Sequence, residues 1–223
     1  MKFRNEWKHE ITPSDMITLR ARLRTVAKPE SHGTNGTYDI RSLYFDDQFD
    51  TAFREKINGV NMREKFRIRY YENDTSFIRL EKKSKINGLC NKQQVRLYAE
   101  EVERILSGDT EWMRTDEREL VGELYYKMKS CGLRPKTIVD YRRDAFVFPA
   151  GNVRVTLDYN IRTGLQSIDF LNPSSVTVPA TDNTIILEVK WDEYLPDIIR
   201  DAVTLEGRRS SAFSKYAACR IYG

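Results

Sequence analysis

The sequence predicts an α+β protein built on a closed antiparallel eight-stranded β-barrel, with helices packed on its outside. Three observations point there. Residues 65–71, Lys-Phe-Arg-Ile-Arg-Tyr-Tyr, alternate strictly, so Lys65, Arg67 and Arg69 share one face of a strand and Phe66, Ile68 and Tyr70 the other. At least five strands repeat this pattern of a charged face beside a strongly apolar one. Between them lie hairpin-like turn signals, and several segments place apolar residues at helical spacing, which supplies covers for the apolar faces.

Taken in order, residues 3–11 read as a strand with Glu6, Lys8 and Glu10 on one face. Thr12-Pro13-Ser14-Asp15 caps a helix over about residues 14–28, where Met16, Ile17, Leu19, Leu23 and Val26 make the apolar stripe. After a loop, residues 37–46 form a β-rich strand ending at Asp46-Asp47, and a short helical piece follows near residues 48–54. Asn58-Gly59 turns the chain into the 62–71 strand, Glu72-Asn73-Asp74-Thr75 turns it back through residues 77–85, and Asn87-Gly88 repeats the signal before Lys92. Residues 98–106 and 116–131 are helical, with Gly108 and Gly132 as stops. Residues 137–148 and 152–161 form a hairpin around Ala150-Gly151, and Arg154, Thr156 and Asp158 share a face there. A long irregular connection leads to the 184–191 strand, with Glu188 and Lys190 on one side, and residues 196–205 and 210–222 are helical.

Composition narrows the function. At 223 residues the chain suits one domain, 1–223, with a single large core. Its 37 basic residues are nearly matched by 33 acidic ones, so the net charge of +4 gives little support to non-specific nucleic-acid binding. The 31% charged content exceeds what a compact surface needs, which places some charge inside. Three widely spaced cysteines, Cys90, Cys131 and Cys219, form neither a disulfide framework nor a zinc motif, and a reducing cytoplasm fits them. No leader-like or membrane-spanning run is present, so any membrane association is expected through a partner.

Two architectures accommodate the pattern: an open sheet with its charged side in water, and a closed barrel with that side turned to a wet lumen. Burying so many cations costs several kcal/mol each unless they are paired or hydrated, so a lumen of this kind calls for an anion. Glu6, Glu10, Glu81, Asp158 and Glu188 are interleaved with the cations and offer oxygen ligands for a hard divalent metal. Many Arg and Lys with a few carboxylates suit a triphosphate and its metal ion.

Ser42-Leu43-Tyr44-Phe45-Asp46, Arg67-Ile68-Arg69-Tyr70-Tyr71, Glu81-Lys82-Lys83, Tyr141-Arg142-Arg143-Asp144-Ala145-Phe146, Leu187-Glu188-Val189-Lys190 and Phe213-Ser214-Lys215-Tyr216 follow one another along the chain. In that order they resemble the VTC (vacuolar transporter chaperone) polyphosphate polymerase domain, a triphosphate tunnel metalloenzyme. The resemblance implies a tunnel-shaped barrel that moves the terminal phosphate of ATP onto a growing inorganic polyphosphate, with Mn²⁺ or Mg²⁺ as cofactor. It implies Arg67, Arg69, Lys83, Arg143 and Lys215 as the catalytic set. Lys8, Lys92, Arg154 and Lys190 would bind substrate, and Glu188 would hold the metal. Tyr44 and Tyr70 are expected to pack rather than bind. The same tunnel chemistry also serves triphosphate hydrolysis, and a non-catalytic polyphosphate-binding module is the third reading. Larger members carry a helical phosphate-sensing module and a membrane span that this chain lacks, so translocation is not expected of it alone.

Overall fold

The alternating segments hydrogen-bond into one antiparallel sheet. The computed structural model describes residues 4–86, 89–207, 210 and 212–221. In chain order the elements are β1 (Asn5–Ile11), α1 (Pro13–Val26), β2 (Lys28–Pro29), β3 (Thr37–Asp46), α2 (Thr51–Ile57), β4 (Arg63–Tyr71), β5 (Asp74–Ile86) and β6 (Leu89–Leu97), then α3 (Ala99–Ser107), α4 (Glu119–Cys131), β7 (Arg134–Phe148), β8 (Val153–Thr163), β9 (Val178–Pro179), β10 (Ile185–Trp191), α5 (Asp197–Val203) and α6 (Lys215–Arg220). The strands lie in the order β1-β10-β8-β7-β3-β4-β5-β6, with β2 beside β7 and β9 beside β8.

Local chemistry sets the ends of these elements. Thr12 and Asp15 form a reciprocal capping box on α1, with Pro13 in its first turn. The hairpin between β4 and β5 turns through Glu72 and Asn73, both with positive φ (51° and 58°), as a two-residue turn matched to strand twist requires. Gly151, between β7 and β8, combines φ 70° with a backbone so close that a Cβ would meet the Tyr194 carbonyl oxygen at 2.3 Å. A 3-10 turn at Glu111–Thr115 had no signal in the sequence, and the Asn87-Gly88 turn lies outside the described residues. The last helix is shorter than its sequence pattern, beginning at Lys215 behind the Ser214 cap.

The apolar strand faces point outward and are covered by helices. On one half, Val155, Leu157, Ile185, Leu187 and Val189 pack with Leu19 and Leu23 of α1 and with Ile199 and Val203 of α5. On the other, Phe66, Ile68, Tyr70, Ile78 and Leu80 pack with Val102 and Ile105 of α3 and with Val121 and Leu124 of α4. Tyr70 behaves as expected, packing at 4.8 Å on Phe170 and donating its hydroxyl to the Phe170 carbonyl. A third cluster, with Tyr38, Ile40, Tyr44, Tyr141, Ile161, Ile186 and Tyr216, lies on the opposite face, where α6 packs against β7 and β8.

The sheet curls. Lys83 of β5 is within electrostatic reach of Glu6 and Lys8 on β1 and of Glu188 and Lys190 on β10, so the charged faces of the two halves look at each other. The ladder does not close, however: β1 and β6 end the strand order and are not paired with each other among the described residues. This corrects the closed eight-stranded barrel expected from the strand pattern. Across the curl like charges meet, since Lys83, Arg67 and Lys8 all disfavour the charge on Lys65. Among the described residues no helix is long and apolar enough to cross a membrane.

The outer core carries the stability. Ile68 and Leu80 are 0% exposed, whereas Ile17 on α1 is 66% exposed. Ile68→Ala or Leu80→Ala is expected to cost about 2–5 kcal/mol and Ile17→Ala within about 0.5 kcal/mol, measured by urea unfolding.

Candidate functional site

Strand parity assembles the concave face. Lys65, Arg67 and Arg69 of β4 project beside Arg79, Glu81 and Lys83 of β5, since Lys65 pairs with Lys83, Arg67 with Glu81 and Arg69 with Arg79. On the other half Lys8 pairs with Glu188, which pairs with Thr156, and Arg143 pairs with Asp158. Charge therefore faces charge along each ladder, and most of it is neutralised in place.

Three acidic centres organise this. Glu81, 2% exposed, receives Arg67 Nε at 2.7 Å and Lys92 Nζ at 2.5 Å. Asp158, fully buried, receives Arg143 through two bonds of 2.6 and 2.8 Å and Lys215 Nζ at 2.5 Å. Glu188 receives Lys190 at 2.9 Å and Lys8 at 3.4 Å, with Arg143 at 4.0 Å, and the same two lysines reach Glu6 at 3.4 and 3.0 Å. Arg154 shares the face of Asp158 but is committed elsewhere, donating to Glu30 at 2.9 and 2.8 Å and to the Tyr38 hydroxyl at 2.7 Å.

Arg69, Lys65, Lys83 and Arg79 have no such partner among the described residues, Arg79 lying instead over the rings of Tyr71 and Phe77. Arg69, buried, donates only to neutral hydroxyls, Ser42 Oγ and Tyr141 Oη, both at 3.0 Å. Lys65 and Lys83 have no carboxylate within salt-bridge distance among the described residues. Burial pushes the Lys65 ammonium down to about 8, against the pull of Tyr44 and with help from Lys83, Arg67 and Lys8. Burial lowers Lys83 as well, and Lys190 and Lys8 add to it against Glu6 and Glu188. Burial and like neighbours thus disfavour the charged form of both lysines, and an anion placed among them would favour it.

Of the ten residues expected at the site, nine lie in these clusters: Arg67 and Lys92 on Glu81, Arg143 and Lys215 on Asp158, Lys8 and Lys190 around Glu188, and the less paired Arg69 and Lys83. Arg154 stands apart on Glu30. Two groups were not foreseen there. Lys65 had the right parity but lies outside the motif that carried the resemblance. Tyr44, expected to pack, does stack on Tyr216 at 4.9 Å, yet its oxygen also accepts a 2.7 Å bond from Arg67.

Among the described residues no three His, Cys, Asp or Glu side chains converge as a self-sufficient metal cage. Glu188 and Glu6, linked through the same two lysines, are hard oxygen donors that suit Mg²⁺ or Mn²⁺ only if ligand phosphates complete the coordination. The donor chemistry fits on that condition.

The VTC domain family matches residues 3–221. The chain belongs to the VTC domain family. No curated protein matches it in sequence. Among solved structures, a candidate adenylate cyclase from Bacillus halodurans is similar at a TM-score of 0.50 and 12% identity, over 85% of this chain and 80% of that one. The PH1012 protein from Pyrococcus horikoshii OT3 is similar at 0.50 and 13% identity, over 97% and 99% of the two chains. At such identities the likeness is one of fold. The VTC chain thus has its curled sheet in common with proteins of very different sequence.

The acidic centres of this VTC domain also set its response to acid. Burial alone would raise the Asp158 carboxyl, but Arg143 and Lys215 outweigh it and hold the group well below the usual carboxylate range. The unfolded chain takes up this proton near pH 4 while the native state does not, so the contribution is present above that pH and is lost as pH falls toward the native value. The urea midpoint is expected to drop between about pH 5 and about pH 3, and less steeply in Asp158→Asn.

Proposed function

We propose that the concave face is a phosphoryl-transfer site that takes the triphosphate of ATP and passes the terminal phosphate to a growing inorganic polyphosphate. One observation supports this above the others: Arg69, Lys65 and Lys83 are turned into the curl without carboxylate partners, beside a row of cations already neutralised by Glu81 and Glu188. A polyanion with several charges in line supplies what that row lacks. Membership of the VTC family supports a triphosphate- or polyphosphate-related role for it.

In this reading Arg69 and Arg67 grip phosphate oxygens with their planar forks, and Lys65 and Lys83 act as point charges on the same chain of phosphates. Arg143 and Lys215, fixed by Asp158, hold the positive field on the far wall. Lys8, Lys190 and Lys92 can move from their carboxylates to the ligand. Glu188, with Glu6 beside it, would hold Mn²⁺ or Mg²⁺, which would supply positive charge against that of the phosphates. An acceptor phosphate oxygen is already anionic and needs no general base, so positioning and a preorganised field supply the rate. A curl closed by ligand into a tunnel would keep donor and acceptor in line.

Incubation with ATP, Mn²⁺ and a short polyphosphate primer, followed by sizing of the products, tests the reading. Polymer growth is expected, with Arg69→Ala and Lys83→Ala each slower by about 10²-fold, the scale of losing one preorganised charge donor. Free phosphate without polymer would make the site a triphosphatase. Tight binding without turnover would make it a polyphosphate-binding module.

A further inference from the structure

Among the described residues Tyr44 is a buried hydroxyl on this face whose one hydrogen-bonding neighbour is a cation, as Arg69 is for Tyr141, and Lys65 and Arg69 bear on Tyr44 as well. Arg67 donates to its oxygen at 2.7 Å, and Lys65 and Arg67 both lie 5.6 Å from its ring centre. No acceptor for its own hydrogen is found among the described residues. Glu81 on β5 is held by Arg67 and by Lys92 of β6, and the Tyr141 hydroxyl on β7 accepts from Arg69. The ring face is covered by Tyr216 of α6, whose hydroxyl donates at 2.5 Å to Asp46 of β3. Lys83 on β5 and Lys8 on β1 add positive charge around Lys65.

We propose that Tyr44 is a phosphate-binding residue, resting as a phenolate paired with Lys65 and Arg67 and taking up a proton from solvent when a polyphosphate anion seats between them. The phenolate stands in for the missing counterion. As ligand oxygens arrive, two anions would share those cations, so the phenolate protonates and the new hydroxyl donates to a phosphate oxygen. The balance is one proton from solvent onto Tyr44 Oη, with no covalent bond made or broken. Its electrostatics agree: burial alone would raise the phenol, but Arg67, Lys65 and Arg69 outweigh it and bring it down to about 7. Binding then weakens as pH rises through and above that value, because the proton must be found from a scarcer supply.

The inference rests on the phosphoryl-transfer reading of the site, and the experiment separates the two. Inorganic tripolyphosphate is titrated calorimetrically into the full chain without metal, in buffers of different ionisation enthalpy. Lys65 also titrates near neutrality, so the decisive comparison is made in Lys65→Arg, whose side chain stays charged, with and without Tyr44→Phe, which keeps the ring and its stacking. Lys65→Arg is expected to take up about one proton more per ligand than Lys65→Arg/Tyr44→Phe, so its affinity falls up to about tenfold more per pH unit above pH 7. Ultraviolet absorbance of the free parent should show a phenolate band that grows in near neutral pH, is absent from Tyr44→Phe, and shrinks on adding tripolyphosphate. Equal proton counts in the two variants, or no such band, overturn the role of Tyr44 while leaving the site's anion binding intact. Failure of the parent to bind tripolyphosphate overturns the phosphoryl-transfer reading, and this inference with it.

Discussion

The constraint on which this structure depends is the cost of holding guanidinium and ammonium groups on the inside of a curled sheet. Each costs several kcal/mol in desolvation unless it is paired, and helices are needed outside because the other face of every strand is apolar. The chain meets the constraint locally. Glu81, Asp158 and Glu188 each sit on a strand next to, or directly across a ladder from, the cations they neutralise, so the pairing that builds the sheet also balances its charge. Replacing these pairs by apolar residues could suit stability equally well. Their use here is to keep positive charge fixed in position before any ligand arrives.

That arrangement divides the cations by what holds them. Arg143 is fastened by two bonds to a fully buried carboxylate, which without it would keep only Lys215. Arg69 is held by hydroxyls that cost little to exchange, and Lys65 and Lys83 by nothing of opposite formal charge among the described residues except the phenol of Tyr44 when ionised. The first kind keeps the shape of the sheet and the second leaves electrostatic work undone. An anion that completes it would meet charges already held in place, which is the physical content of preorganisation.

Much of this was legible in the sequence because strand parity has period two and is hard to disguise. Arg67, Arg69, Glu81, Lys83, Glu188 and Lys190 could be placed on one face by counting alone. What counting cannot give is the partner of each charge. Lys215 finds Asp158 through the fold of a helix that enters late in the chain, and Arg154 is claimed by Glu30, a loop residue with no periodicity of its own. Closure was illegible for a similar reason: it is decided by two strands at opposite ends of the sheet order, and neither strand's pattern refers to the other. Tyr44 packs as an aromatic in a β-rich strand is expected to, but the bond to its oxygen had no signal in the pattern. Its oxygen is the functional end, and only the position of Arg67 across the ladder reveals it.

Arg67 joins the two kinds of cation. One edge of its guanidinium is fixed to Glu81 and another nitrogen reaches Tyr44, so a single planar group touches both the balanced set and the unbalanced one. A point charge such as lysine could serve either neighbour but could not hold this geometry for both, because only the fork fixes direction as well as charge. Whatever changes the charge on Tyr44 is therefore felt along the row that ends at Lys92, through Arg67 and Glu81, without movement of the backbone. The groups from Tyr44 to Lys92 are in this way one run of hydrogen bonds and ion pairs, and the state of the phenol at its inner end would set how much positive charge it presents.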